Sequence, residues 1–370
     1  MKIAFIKRNF SYHGGAEKYL DTLIDTLKKK GHEIHIFSNK WIKDKEIVYH
    51  KVKIIPQSSF LKAYSFNYNL RINLKEFDSV ISFERTTKQH IYRAGEGCHA
   101  RWLEIRSMIE PYHKRVSFKI NPLHLYYLKI EKEIFEKTPL IITNSGMVKD
   151  DILEYYRITP DKIKVIYNGV DLIKFSPENK NHGIELREKF NISKKTKIIL
   201  FVGSGFKRKG LDILIQALPY LKSDYLLFVV GKGDLRPYIK MANKLKVDDK
   251  ILFLGISKEI EKIYSASDIF VLPTLYDPFS NATLEAMASG LCVVTTKNNG
   301  AAEIIEDGKE GFILKNTFSK IELAEKIELA LKNYEVMGYK ARKKSENYSI
   351  DSQAEHFLSI ILNYKNFFNP

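Results

Sequence analysis

The chain of 370 residues reads as an α/β protein built from two doubly wound parallel sheets. Three observations predict this. Apolar runs of four or five residues, rich in Ile, Val, Leu and Phe, recur along the chain, most of them followed by a turn and a helical stretch. That alternation marks a parallel sheet covered on both faces. The alternation starts afresh after the polar, turn-forming segment Tyr167-Asn168-Gly169-Val170-Asp171, which predicts an interdomain hinge. Finally, no stretch approaches eighteen apolar residues, so no membrane-spanning helix competes with this reading.

Strand candidates lie at 3–6, 34–37, 80–83, 140–143, 198–202, 226–230, 251–254, 269–272 and 293–296. The first runs into a double-glycine turn, His13-Gly14-Gly15-Ala16-Glu17, and an amphipathic helix over 16–30 closed by Gly31. Tyr19, Leu20, Leu23, Ile24 and Leu27 recur on one face of that helix. Strand, double glycine and helix start together make an anion cradle. The spacing is not the Gly-x-Gly-x-x-Gly of dinucleotide enzymes, which argues against a nicotinamide or flavin cofactor. A bare double glycine is also common in ordinary α/β turns.

Farther on, an extended stretch leads into Arg93-Ala94-Gly95-Glu96-Gly97-Cys98-His99. Glu96 and His99 stand three apart beside glycines at a strand end, well placed to face a ligand; His99 is equally readable as a core residue. The segment 98–137 then mixes Trp102, Tyr112, Phe118, Tyr126, Tyr127 and Phe135 with eight cations, on helical pieces broken by Pro111 and Pro122. Aromatics interleaved with cations suit a helix lying in a lipid interface. Five acids, Glu104, Glu110, Glu131, Glu133 and Glu136, dilute the charge. An ordinary helical excursion packed on its own domain is the competing reading.

In the second half, the strand over 197–202 enters Gly203-Ser204-Gly205-Phe206-Lys207-Arg208-Lys209-Gly210 and then a helix. Glycines let the backbone approach a ligand, and Arg208 and Lys209 can neutralise a pyrophosphate. Some seventy residues on, Tyr276 to Gly290 reads YDPFSNATLEAMASG. Asp277 lies on the loop and Glu285 lies eight positions later, in the first turns of a helix. Between them lie small polar residues, and the N–H groups that open the helix, those of Phe279, Ser280 and Asn281 among them, make a setting that favours an anion. Carboxylates repel phosphate but accept from hydroxyls. Hydroxyls, then phosphates, then hydroxyls describe a nucleotide sugar.

These two motifs resemble the retaining glycosyltransferases of family 4, which carry an acidic pair spaced Glu-x7-Glu; Asp277 departs from it by one methylene. The resemblance runs along nearly the whole chain, includes the Asn-Gly-Val-Asp of 168–171, and is nearest to the lipopolysaccharide core glucosyltransferase branch. It implies the GT-B architecture, two Rossmann-like doubly wound domains facing each other across a cleft: an acceptor-side domain over 1–168, completed by a crossover helix over 350–370, and a nucleotide-sugar-binding domain over 169–349. It further implies that Gly14, Gly15, Gly203, Arg208, Lys209, Asp277, Phe279, Ser280, Asn281, Thr283 and Glu285 hold the donor. Lys209 and Arg208 take the leaving diphosphate, Asp277 the sugar and Glu285 the ribose. Glu96, with His99, lies on the acceptor side, and Glu96, Lys209 and Asp277 form the catalytic set. No metal or other cofactor is expected.

Composition sets the remaining bounds. The formal charge is +16, and residues 1–175 hold 31 Lys+Arg against 20 Asp+Glu, so the first half carries most of the excess. That asymmetry points to an acidic partner. Within the resemblance the partners are a nucleotide sugar, a glycolipid or other glycan acceptor and an anionic membrane surface. A nucleic-acid partner is not expected, because no recognition module is present. Cys98 and Cys292 lack disulfide or zinc spacing, which fits a reducing compartment. No signal-peptide pattern is read at the N-terminus. The expected site is the cytoplasm, on the inner face of the cytoplasmic membrane. The expected function is retaining transfer of a hexose, glucose from UDP-glucose, to a sugar hydroxyl of a glycolipid such as the lipopolysaccharide inner core. The alternatives are a family 4 transferase with another acceptor, or a nucleotide-sugar epimerase on the same scaffold.

Overall fold

The structure is a computed structural model that describes residues 1–9, 15–40 and 44–368; for 15–19 and 365–368 it describes backbone alone. The chain divides into two compact units, residues 1–167 with 350–370, and residues 168–349. Each is a wholly parallel sheet.

The first unit contains β1 (Lys2–Ile6), β2 (Glu33–Ser38), β3 (Ile47–Lys51), β4 (Ser79–Ser82), β5 (Ile91–Ala94), β6 (Leu140–Thr143) and β7 (Ile163–Val165), in the order β3-β2-β1-β4-β5-β6-β7. Because successive side chains alternate across a sheet, each strand feeds two cores. Ile3, Phe5, Ile34, Ile36, Ile81 and Leu140 pack with Leu20, Leu23 and Leu27 of the helix Gly15–Lys29 and with Phe357 and Ile361 of the helix Ile350–Phe368. On the opposite face Ala4, Ile6, Phe37 and Val80 meet Phe66, Leu70 and Phe77. The last helix is therefore part of the first unit's core.

The second unit contains β8 (Lys197–Val202), β9 (Tyr225–Val230), β10 (Ile251–Gly255), β11 (Ile269–Leu272), β12 (Cys292–Thr296) and β13 (Gly311–Leu314), in the order β10-β9-β8-β11-β12-β13. Its central strands are buried on both faces; β8 and β11 read as Ile, Val, Leu and Phe runs, and β12 (CVVTT) is buried throughout. Asn168 opens this unit, and Val170 donates its N–H to Tyr348 at 2.9 Å, so the incoming and outgoing chain are stitched side by side.

The 26-residue helix Lys320–Ser345 packs against β12 and comes close enough that a Cβ on Gly338 would lie 2.0 Å from the Gly290 carbonyl oxygen. Helix propensity alone favours alanine over glycine by about 1 kcal/mol. Backbone against backbone cannot yield, and overpacking costs about 1–3 kcal/mol. Gly338→Ala is therefore expected to lower the urea midpoint of the second unit. A raised midpoint would show that propensity outweighs the close approach.

Candidate active site

In a doubly wound sheet, ligands collect beyond the carboxyl ends of the strands where the order reverses. In the second unit that point lies between β8 and β11. The two loops that leave there are 203–210 and 273–280, the two segments the sequence singles out. They are bound to each other. Leu275 donates its N–H to the Arg208 carbonyl at 2.8 Å, and Thr274 Oγ1 donates to the same oxygen at 3.0 Å. Gly210 ends the first loop at φ +77°, and its own Cβ, if present, would meet the Pro273 carbonyl oxygen at 2.0 Å. Only glycine permits that crossing.

The loops bring the charges together. Lys209 Nζ donates to Asp277 Oδ2, both residues being buried, and Arg208 Nη1 stands 3.9 Å from the same oxygen while donating to the Tyr276 carbonyl at 2.8 Å. The sequence reading assigned Lys209 and Asp277 to different parts of a donor, whereas the structure joins them as an ion pair. A Cβ on Gly203 would sit 3.1 Å from the Lys209 Cγ, so the lysine stem lies over this glycine.

What shapes the second loop is Asn299, which the sequence reading missed. It is fully buried after β12 and makes four side-chain hydrogen bonds. Its Oδ1 accepts from the N–H groups of Ser280 and Ala301, each at 3.1 Å, and its Nδ2 donates to Thr283 Oγ1 and Thr295 Oγ1, each at 3.0 Å. Asp277 is fixed through its backbone to the same turn, accepting from Gly300 N–H at 2.8 Å and donating to the Asn298 carbonyl at 2.9 Å. The only sequence signal was Asn298-Asn299-Gly300 at a strand end, a turn signature with no charge in it.

Two expectations need correction here. Ser280 N–H is engaged by Asn299 and is not on offer to an anion; its Oγ caps the helix Asn281–Ala288 by accepting from Thr283 N–H at 3.3 Å. Thr283 is fully buried with its hydroxyl on Asn299, so it braces the loop from inside. Phe279 is likewise buried. Asn281 Oδ1 accepts from Asn168 Nδ2 at 2.7 Å. Glu285 sits half-buried in the next turn and accepts from the Tyr264 hydroxyl at 3.0 Å.

In the first unit the strand order reverses between β1 and β4. Lys7 and Arg8, just past β1, pair with Glu84, just past β4, at 3.6 and 3.7 Å. The neighbouring Arg85 reaches two carboxylates, Glu96 and Glu131, the latter at 2.9 Å, and lies over the Tyr127 ring at 4.7 Å. Glu96 is 56 % exposed and occupies the turn after β5. Packing around it favours the neutral acid, but the cations Arg85, Lys7 and Arg8 prevail and hold it below the usual carboxylate range.

Glu131 was counted among the acids of a charged surface. It is instead fully buried. Its oxygens accept from His99 N–H at 3.1 and 3.0 Å and from the Tyr156 hydroxyl at 2.9 Å, which caps the helix His99–Ile109 from a distance. Burial raises its pKa against the pull of Arg85. His99 is buried, with Nε2 3.0 Å from His124 Nδ1; burial first, then the Arg85 charge, push its pKa down to about 3. It is neutral at physiological pH and does not supply a proton.

Gly14 lies outside the described residues, and Gly15 begins the first helix. Among the described residues no three His, Cys, Asp or Glu side chains gather as a metal site requires, and no helix is long and apolar enough to cross a membrane.

Comparison with known proteins agrees with this geometry. The model for Glycosyltransferase Family 4 matches residues 13–174, and that for Glycosyl transferases group 1 matches residues 184–350. The lipopolysaccharide glucosyltransferase WaaG of Escherichia coli (strain K12) is 25% identical over 343 residues, 90% of each chain. A crystal structure of WaaG superposes with a TM-score of 0.82 at 24% identity, covering 97% of this chain and 99% of that one. Anabaena Alr3699/HepE in complex with UDP and glucose gives a TM-score of 0.74 at 18% identity, covering 98% and 100%. The two parallel sheets, their switch-point loops and these matches together place the chain among the group 1 glycosyltransferases of family 4, enzymes of GT-B fold.

Proposed function

We propose that this enzyme transfers a hexose, with retention, from a UDP-sugar to a hydroxyl of a membrane glycolipid, as in the lipopolysaccharide inner core. The observation that carries the reading is the pairing of Lys209 and Arg208 with Asp277 at the switch point of the second unit. Charge develops on the diphosphate as the bond from the sugar C1 to its phosphate oxygen lengthens. Two fixed cations stabilise that charge more in the transition state than in the ground state. The acceptor oxygen bonds C1 on the face the phosphate leaves, and its proton passes to the departing phosphate. Asp277 accepts from a sugar hydroxyl once Lys209 turns to phosphate, and Glu285 accepts from the ribose. In the first unit Glu96, kept ionised by Arg85, orients the acceptor hydroxyl. The similarity to WaaG and the UDP and glucose held by HepE support the choice of donor and acceptor class.

A purified enzyme given UDP-glucose and an inner-core glycolipid should release UDP. Because Lys209 and Asp277 are buried partners, truncating either leaves a stranded charge; the informative variants are Arg208→Ala and Glu285→Ala, with Asp277→Asn, which keeps the side chain's size and an acceptor oxygen for Lys209, read beside its melting temperature. Loss of a charge-assisted hydrogen bond is worth about 1.5–3 kcal/mol, roughly ten- to a hundredfold. Arg208→Ala and Asp277→Asn should lower kcat by that factor, and Glu285→Ala should chiefly raise the donor KM. Wild-type kinetics in all three, with unchanged melting temperatures, would remove the proposal.

The acceptor reading extends to the surface. The helix Tyr112–Ile120 buries only Phe118, and it exposes Tyr112 (79 %), Ile120 (71 %), Lys114, Arg115 and Lys119. With Glu110 and Glu131 buried, two of the five diluting acids are withdrawn from this surface. Cations near an anionic bilayer contribute about 1 kcal/mol each. Lys119→Glu with Lys129→Glu is expected to reduce sedimentation with anionic vesicles about tenfold or more, most strongly at low salt. Equal binding to neutral and anionic vesicles would count against an electrostatic surface.

A further inference from the structure

A cavity of about 490 Å³ opens in the first unit, lined by Lys2, His35, His50, Arg71, Glu76 and Lys88 among others. Its volume is in the range of small-molecule sites. It lies on the sheet face that Phe66, Leu70 and Phe77 cover, whereas the helices Gly15–Lys29 and Ile350–Phe368 cover the other face. Lys2 enters from the amino end of β1, and Lys7 and Arg8 lie past its carboxyl end. None of its lining residues belongs to the machinery described above.

Three side chains bring permanent positive charge: Lys2 from β1, Arg71 from the chain preceding β4, and Lys88 from the β4–β5 loop, whose Nζ donates to the Leu70 carbonyl at 2.9 Å. Glu76 is the one lining carboxylate, and its Oε1 accepts from Asn73 Nδ2 at 3.0 Å. Asp78, outside the lining, accepts from the Lys2 backbone N–H at 2.7 Å.

The wall opposite is a relay. Glu33 Oε1 lies 2.7 Å from His35 Nε2, and His35 Nδ1 lies 2.8 Å from His50 Nε2. Glu33, His35 and His50 thus form one hydrogen-bonded chain in which the donor and acceptor roles of the rings follow the tautomer. His50 ends the chain, its Nδ1 outside these contacts. His50 is stacked on Phe37 with ring centroids 4.2 Å apart at 7°, which holds it in place. Burial first, then the charges of His35 and Lys2, lower its pKa, while Glu76 opposes them.

The geometry points to a binding site for the phosphate group of a small phosphate monoester, of about the size of a sugar phosphate, held by Arg71, Lys88 and Lys2 with His50 as a titratable donor. A phosphate monoester carries about −1.5 to −2 at neutral pH and three acceptor oxygens. A guanidinium fork and two ammonium groups suit that charge, and a protonated His50 adds one more donor. Binding and protonation are then linked: a bound anion raises the pKa of His50, and protonated His50 tightens the anion.

The test is an NMR titration of His50 in the full-length protein, with inorganic phosphate and glucose 6-phosphate as probes and glucose as the neutral control. The expected result is a saturable rise of the His50 pKa by about one unit, equivalent to tenfold tighter binding by the protonated form. Arg71→Ala with Lys88→Ala, both at solvent-accessible positions, should weaken binding at least tenfold; Arg208→Ala should leave the His50 response unchanged. Glucose 6-phosphate binding more tightly than inorganic phosphate supports an esterified ligand, and equal binding overturns that part in favour of the free ion. No response of His50, or a response lost with Arg208 and kept without Arg71 and Lys88, overturns the site.

Discussion

Two opposite charges withdrawn from water organise the second unit. Removing a carboxylate and an ammonium from solvent costs several kcal/mol each, which their attraction repays only with good geometry. Such a pair is weak evidence for stability, and a protein that wanted stability alone would do as well with apolar residues there. Lys209 and Asp277 hold each other while each is also tied through its loop to the loop opposite. The arrangement holds an ammonium and a carboxylate side by side away from solvent, at the carboxyl ends of the strands where the sheet order reverses.

The first unit solves a related problem with different residues. Arg85 is buried between an exposed carboxylate and a fully enclosed one, Glu96 and Glu131. Glu131 cannot leave: Arg85, Tyr156 and the start of a helix all hold it. Arg85 is thereby fixed, and Glu96 inherits its position from a residue 35 places along the chain. Its exposed carboxylate is positioned by a buried one, which is how a group open to solvent can still point one way.

Much of this was legible in the sequence, for identifiable reasons. All nine expected strands are present, because strands buried on both faces announce themselves as apolar runs. Three escaped, and a fourth, β5, was legible only as an extended stretch before Arg93; all four break this rule. β3 is an edge strand reading IVYHK, β5 reads IYRA with a buried arginine, β7 has three residues, and β13 begins at a glycine. The charged loops at the switch point could be found because cations and acids stand out beside glycines. Asn299 could not, since its importance lies in four hydrogen bonds made by an uncharged side chain, two of them reaching back to Thr283 and Ser280 in the preceding loop and helix start. Glu131 misled for the converse reason. On a helix rich in Lys and Glu nothing local distinguishes the acid that faces inward, and only the position of Arg85 in space decides it.

The membership of the last helix in the first unit bears on how the molecule is made. Ala354, Phe357, Leu358, Ile360 and Ile361 sit in the same core as Ile3 and Leu20, more than three hundred residues earlier. As synthesis proceeds, the second unit has all of its chain once Ser349 has emerged, while the first still lacks one side of its interior. The earlier-made half must therefore wait, one sheet face covered only by the helix Gly15–Lys29, until the later-made half is complete. Contacts of such separation are slow to form and leave apolar surface exposed meanwhile. The order in which the two units can be completed is thus inverted relative to the order in which their first residues are made, and the part of the apolar face of β1 and its neighbours that awaits the last helix is the surface a chaperone would meet on the nascent chain.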